Sequence, residues 1–234
     1  MTCGAGEYAV PANNGGTMDI EERLTAFAML GAEWVLWLLV ALSVFGIAVM
    51  LERTYYMLAS RDDIDELRNE VRSRLDRKDL EAARRRLAQS RSFEARVASV
   101  ALDAAADGVD AARERLGGEA KLARLRMERN LAFLGTVGNN APFVGLLGTV
   151  IGVIRAFHSL NESSGQVTAG LMADVGEALV ATAIGILVAL PAVAAFNAFQ
   201  RAIKARLGRA DALASDILAY LVANPSSAER QPAE

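Results

Sequence analysis

The chain has 234 residues, 53% of them hydrophobic and 23% charged, with a net charge of −3 and a mean hydropathy of +0.23. Apolar content this high excludes disorder over the whole length. Charge at that level beside it requires separate apolar and charged blocks, as in a membrane protein. The 25 basic and 28 acidic residues give no basic surplus for nucleic acid. One cysteine, Cys3, and one histidine, His158, exclude an intrachain disulfide and leave almost no basis for a zinc site.

Residues 1–22 are rich in Gly, Asn and Pro, without periodicity, and read as a flexible tail. They contain neither a basic leader nor an apolar run of the secretory type, and Met18 is a second candidate start. Residues 23–58 form the first transmembrane region. Its centre, Trp34–Leu51, has 18 residues without a charge, flanked by Trp34, Trp37, Tyr55 and Tyr56 at interfacial positions.

Residues 59–129 form a charged loop; from 52 to 129 there are 18 basic and 16 acidic residues. Apolar residues recur at helical spacing: Ile64, Leu67, Val71, Leu75; then Leu80, Ala83, Leu87; then Phe93, Val97, Val100, Ala101, Ala104. Several amphipathic helices are expected, broken at Asp107-Gly108 and at Gly117-Gly118, with the charges on solvated faces.

Two further spans follow at 130–160 and 167–199, joined by a short turn at 161–166, which makes them an antiparallel hairpin. Both exceed the roughly 20 residues that a bilayer needs, so they tilt or project beyond it. A C-terminal amphipathic helix at 200–223 carries Ile203, Leu207, Leu213, Ile217 and Leu218, and 224–234 is a tail. Basic residues set the orientation. Residues 1–33 contain only Arg23 and the 161–166 turn none, whereas 115–129 contain five and 201–209 four. The expectation is an all-α membrane protein with three transmembrane helices, N-out and C-in, whose long second and third helices extend into a helical cytoplasmic region.

Small residues concentrate in those two helices. Gly145, Gly148 and Gly152 on the second, with Gly135 and Gly138, match Ala181 and Gly185 on the third. Such spacing lets helix backbones approach closely in lipid. The Leu-rich first helix lacks it and is expected to face lipid. Glu177 is a carboxylate inside a span, where it is costly unless it faces a polar interior or water path. Counted inward from the turn, Glu177, Thr182 and Thr149 lie within roughly 8 Å of one another in depth, a polar layer. Glu177 and Thr182 stand about 140° apart around their helix, so they serve different directions. A threonine in a helix bonds its own backbone by default; the matched depth is what argues for more. No metal set, P-loop or Ser-His pair appears, so an enzyme is not expected.

The motifs APFVGLLGTV (141–150) and EALVATAIG (177–185) carry a resemblance. Leu134–Phe157 resembles the second transmembrane helix, and Gly176–Phe199 the third, of the ExbB/TolQ/MotA family of ion-driven motor subunits. Three spans with a large loop are similar to its ExbB and TolQ branches rather than to the four-span MotA type. Phe196-Asn197 with Arg201 looks nearer ExbB. The resemblance implies an inner-membrane pentamer around a dimer of a single-span ExbD/TolR-like partner, with protons as coupling ion, no other cofactor, and a TonB-like or other envelope effector. It implies that Thr149 and Thr182 line the pore opposite an aspartate of the partner and that Glu177 is the family's membrane glutamate. Pro142, Pro191 and Asn197 also fall on the family pattern; the prolines need be no more than helix kinks. The expected function is a proton-channel subunit turning proton-motive force into mechanical work for TonB-dependent transport. The alternatives are a TolQ-like or gliding motor subunit, or a non-conducting scaffold.

Overall fold

A computed structural model describes residues 31–59, 62–163 and 166–224. The 1–22 tail, Cys3, the start of the 23–58 region, part of the turn at 161–166 and residues 225–234 lie outside these. The described residues form helices without a strand: α1 Glu33–Ala59, α2 Ile64–Asp76, α3 Leu80–Gln89, α4 Phe93–Asp103, a 3-10 turn Ala105–Asp107, α5 Val109–Glu128, α6 Leu131–Glu162 and α7 Ala169–Ala223. Helices α1, α6 and α7 are long and apolar enough to cross a membrane. The chain divides into two compact units that share these three helices. One comprises residues up to 38 and 143–185; the other comprises 39–142 and 186–234.

The second unit is a helical bundle with a Leu/Val/Ala core. Ile64, Leu67, Val71 and Leu75 are the buried stripe of α2, and Ala83 and Leu87 that of α3. They pack with Ala98 and Leu102 of α4 and with Leu213, Ile217 and Leu221 of α7. The short helices begin on side-chain caps. The Asp63 carboxylate accepts from the amides of Asp65 and Glu66, Asp79 from Ala82, and the Ser92 hydroxyl from Ala95.

Three expectations change here. The first is the break at Gly117-Gly118. The expected break at Gly108 exists, with a φ of +97°. Helix α5, however, runs through Gly117 and Gly118 without interruption. Two glycines cost about 1 kcal/mol each, but the flanks are strong helix formers and Leu116, Ala123 and Met127 are buried on one side. The second is the separate C-terminal helix at 200–223. The transition at Phe199–Arg201 is a change of composition only, and α7 continues through it for 55 residues. No helix breaker lies there, and the far end of α7 is held in the bundle core.

The third concerns charge. Most of the charged loop is solvated, but Glu94, Arg206 and Arg53 are buried, at 1%, 6% and 3% exposure. Arg206 meets Glu94 at two points, Nε–Oε1 and Nη2–Oε2, each 3.0 Å, and donates to the Met57 carbonyl. Such two-point geometry gives each buried ion a charged hydrogen-bond partner. Arg53 donates from Nη1 to the carbonyls of Arg126 and Met127, placing positive charge on the C-terminal carbonyls of α5. The chain then turns through Asn130, whose φ is +62°, a conformation asparagine tolerates.

Candidate functional site: a polar contact in a glycine-lined hairpin

In the first unit α6 and α7 run antiparallel at backbone contact distance, because the residues between them are small. A Cβ built on Gly145 would lie 2.7 Å from the Ala181 carbonyl oxygen and 3.2 Å from the Gly185 Cα. On Gly148 it would lie 2.6 Å from the Ala181 Cβ, and on Gly152 2.5 Å from the Ala178 Cβ. The five positions expected to pack helices, Gly145, Gly148, Gly152, Ala181 and Gly185, are all buried. In the other unit Gly138 and Gly135 are covered by Val193 and Phe196.

The same glycine sets the polar contact. Because Gly145 has no side chain, the Thr182 hydroxyl reaches across to donate to the Gly145 carbonyl at 3.0 Å. Thr149 Oγ1 donates to its own helix at Leu146 O, 2.6 Å. The two hydroxyl oxygens are 3.3 Å apart. Two hydroxyls hold two protons, so these three contacts are not all made at once. When both protons point at carbonyls, the two oxygens face each other with only lone pairs. Both residues are partly exposed, so a donor from outside the chain can satisfy them.

Glu177 is not part of that contact. It is partly exposed, and its Oε1 is buried with no hydrogen-bond partner among the described residues. A buried carboxylate oxygen without a donor is costly. Pro142 and Pro191 sit inside continuous helices. Pro191 and Asn197 are exposed.

Helix α1 exposes Trp37, Val44, Phe45, Leu51 and Tyr55, as a lipid-facing helix does. It is not wholly lipid-facing, however. Val35 is fully buried, with its Cγ1 3.3 Å from where a Gly148 Cβ would be. The bare surface of a glycine accepts a β-branched residue as readily as a small one.

Sequence reasoning missed one pair. Arg155 Nη2 lies 3.4 Å from Asp174 Oδ1, and Ser159 Oγ donates to Asp174 Oδ2 at 3.3 Å. The depth count that aligned the threonines would have found it, since Arg155 and Asp174 are five and seven residues from the ends of their apolar runs. In His158, the lone histidine, Nδ1 lies 3.6 Å from Oε1 of Glu162 on its own helix. No cluster of three or more metal-ligating side chains occurs among the described residues.

Three long apolar helices, two of them meeting on glycines with a polar contact between them, define a helical membrane protein. Residues 88–212 match the MotA/TolQ/ExbB proton channel family, and the chain belongs to that family. Among its relatives, the Tol-Pal system protein TolQ of Pseudomonas aeruginosa is 40% identical over 96 residues, covering 41% of this chain and 42% of that protein. A biopolymer transport protein ExbB-like 2 of Helicobacter pylori is 42% identical over 77 residues, 33% of this chain and 51% of that protein. ExbB of Neisseria gonorrhoeae is 40% identical over 92 residues, 39% of this chain and 42% of that protein. The chain thus spans about half the length, or less, of the relatives it matches.

Proposed function

We propose that this chain is the inner-membrane proton-channel subunit of an ExbB/ExbD-type motor that converts proton-motive force into mechanical work and energises TonB-dependent outer-membrane transport. It spans the membrane three times, N-out and C-in, with 59–129 and 200–223 in the cytoplasm. It assembles as a pentamer around a dimer of a single-span ExbD/TolR-like partner. Thr149 and Thr182 line the pore, and a titratable acid of the partner exchanges protons against them. Glu177 faces a neighbouring subunit or the water path, and Gly145, Gly148, Gly152, Ala181 and Gly185 hold the wall together. The partner's charge state sets how it sits against this polar ring, and cyclic protonation turns the two assemblies against each other.

The observation that carries this reading is the 3.3 Å approach of the two threonine hydroxyls within a chain of this family. Each oxygen keeps acceptor capacity for a proton donor of the partner. A TolQ-type output is the second reading, favoured by the match to the P. aeruginosa protein. Proton uptake by proteoliposomes holding this chain and its neighbouring-gene partner tests the channel. Thr182→Val keeps the shape and removes the hydroxyl; conduction is expected to fall at least about tenfold with assembly intact. Unchanged conduction would leave a non-conducting scaffold as the better description.

A further inference from the structure

Arg155 is the only charged residue between Leu131 and Leu160, and Asp174 stands one helical turn before Glu177 on α7. Their side chains are 32% and 15% exposed, and they pair at 3.4 Å across the hairpin. Ser159 supplies a second donor to the same carboxylate. The guanidinium also rests on the lead-in to α1. At Gly31 a Cβ would stand 2.6 Å from Arg155 Nη1, and the φ there is +85°. Gly31 thus has a backbone conformation that favours glycine, and the guanidinium lies against its open face. One guanidinium therefore touches segments leading to or lying within all three long helices.

An ion pair in this setting is a poor way to gain stability. Removing two charges from water costs about what their attraction returns, and apolar residues of similar volume hold helices together as well or better. Ionisable residues within spans are by default functional, with a partner that can be named. Here the partner is Asp174, and the next acid along the helix is Glu177, whose Oε1 is buried without a donor among the described residues. The other titratable groups of the described unit are Glu33 on α1 and the His158–Glu162 pair on α6.

We propose that Arg155 is a positioning residue: paired with Asp174 and seated on Gly31, it latches the lead-in of α1 to the head of the α6–α7 hairpin and so holds the turn of α7 that carries Glu177. This rests on the proposed channel function. Arg155 itself need not carry a proton; it fixes the direction in which Glu177 is presented.

The test uses the assembly of this chain with its single-span partner in proteoliposomes, with proton uptake under an imposed potential as readout and size-exclusion and melting profiles as controls. Arg155→Gln and Asp174→Asn are each expected to reduce conduction about fivefold to tenfold at unchanged assembly and melting temperature. The charge exchange Arg155→Asp with Asp174→Arg is expected to recover most of it, as coupled residues do in a double-mutant cycle. Arg155→Lys, which keeps the charge and loses the planar fork, is expected to fall between. Single variants that conduct like the parent overturn the latch, as does conduction lost only in proportion to assembly. Thr182→Val, run alongside, separates the two readings. If it abolishes conduction while the pair variants do not, the latch alone fails. If it conducts normally while the pair variants do not, the polar ring fails and the latch stands. Should Arg155→Gln not fold, Asp174→Asn decides: it removes the carboxylate charge of the pair and leaves the guanidinium in place, and unchanged conduction in that variant overturns the proposal.

Discussion

Arg206 and Glu94, 112 residues apart in sequence, close a two-point ion pair inside the helical bundle, with side-chain exposures of 8% and 2%. Arg206 also lies over the Phe93 ring, 5.8 Å from its centroid. Removing one partner strands a buried charge. Glu94→Ala is expected to destabilise the bundle by about 3–5 kcal/mol, whereas replacing both residues by apolar ones of similar volume costs far less. Thermal melting of the purified protein in detergent, read by circular dichroism, checks both. A loss below about 1 kcal/mol for Glu94→Ala would contradict the burial of the pair.

Gly145 and Gly176 make a matched pair for testing the hairpin contact. A methyl group on Gly145 would press on the backbone of α7 at 2.7 Å, whereas one on Gly176 meets nothing within 4 Å. Gly145→Ala is expected to cost about 1–3 kcal/mol through overpacking, and Gly176→Ala to be neutral or stabilising within the chain. Melting of the two variants side by side gives the difference. The reverse order would mean that the helices do not meet on the Gly145 face.

Gly117 and Gly118 lie in the middle of α5 with open space where a side chain would be. Their only contribution in the folded state is an entropic cost. Gly118→Ala is therefore expected to raise stability by about 1 kcal/mol, seen as a higher melting temperature. A decrease would show that the segment is not helical in solution.

Glu70 accepts a hydrogen bond from Arg86 and pairs with Arg74, and these hold its carboxyl below the ordinary glutamate value of 4.5. A depressed folded-state value means the stabilisation is complete above the unfolded value and disappears as pH falls through the folded one. The side chain is 37% exposed, so the effect is modest. Melting temperatures compared between about pH 6 and pH 3.5 are expected to drop less in Glu70→Gln than in the parent. Equal acid sensitivity would assign the loss to other carboxylates.

Much of this protein is legible in one dimension. The three long apolar runs, the amphipathic stripes at Ile64–Leu75 and the Gly145–Gly152 series follow from periodicity and composition alone, because bilayer thickness and helical pitch are fixed lengths. The matched depth of Thr149 and Thr182 follows from the same arithmetic once the turn at 161–166 makes the helices antiparallel. Tertiary structure decided what periodicity does not encode. It shows α7 continuing past Phe199, because the helix end is set by where Leu213 and Ile217 find a core. It selects three of the many charges, Arg53, Glu94 and Arg206, for burial, because burial depends on which distant segment supplies a counter-charge or a helix end. It brings Val35 onto Gly148 and Arg155 onto Gly31, because a glycine has no side chain and so does not specify what approaches it. The chain order of small and charged residues marks where close contacts and ion pairs are possible; only the packed helices choose the partners.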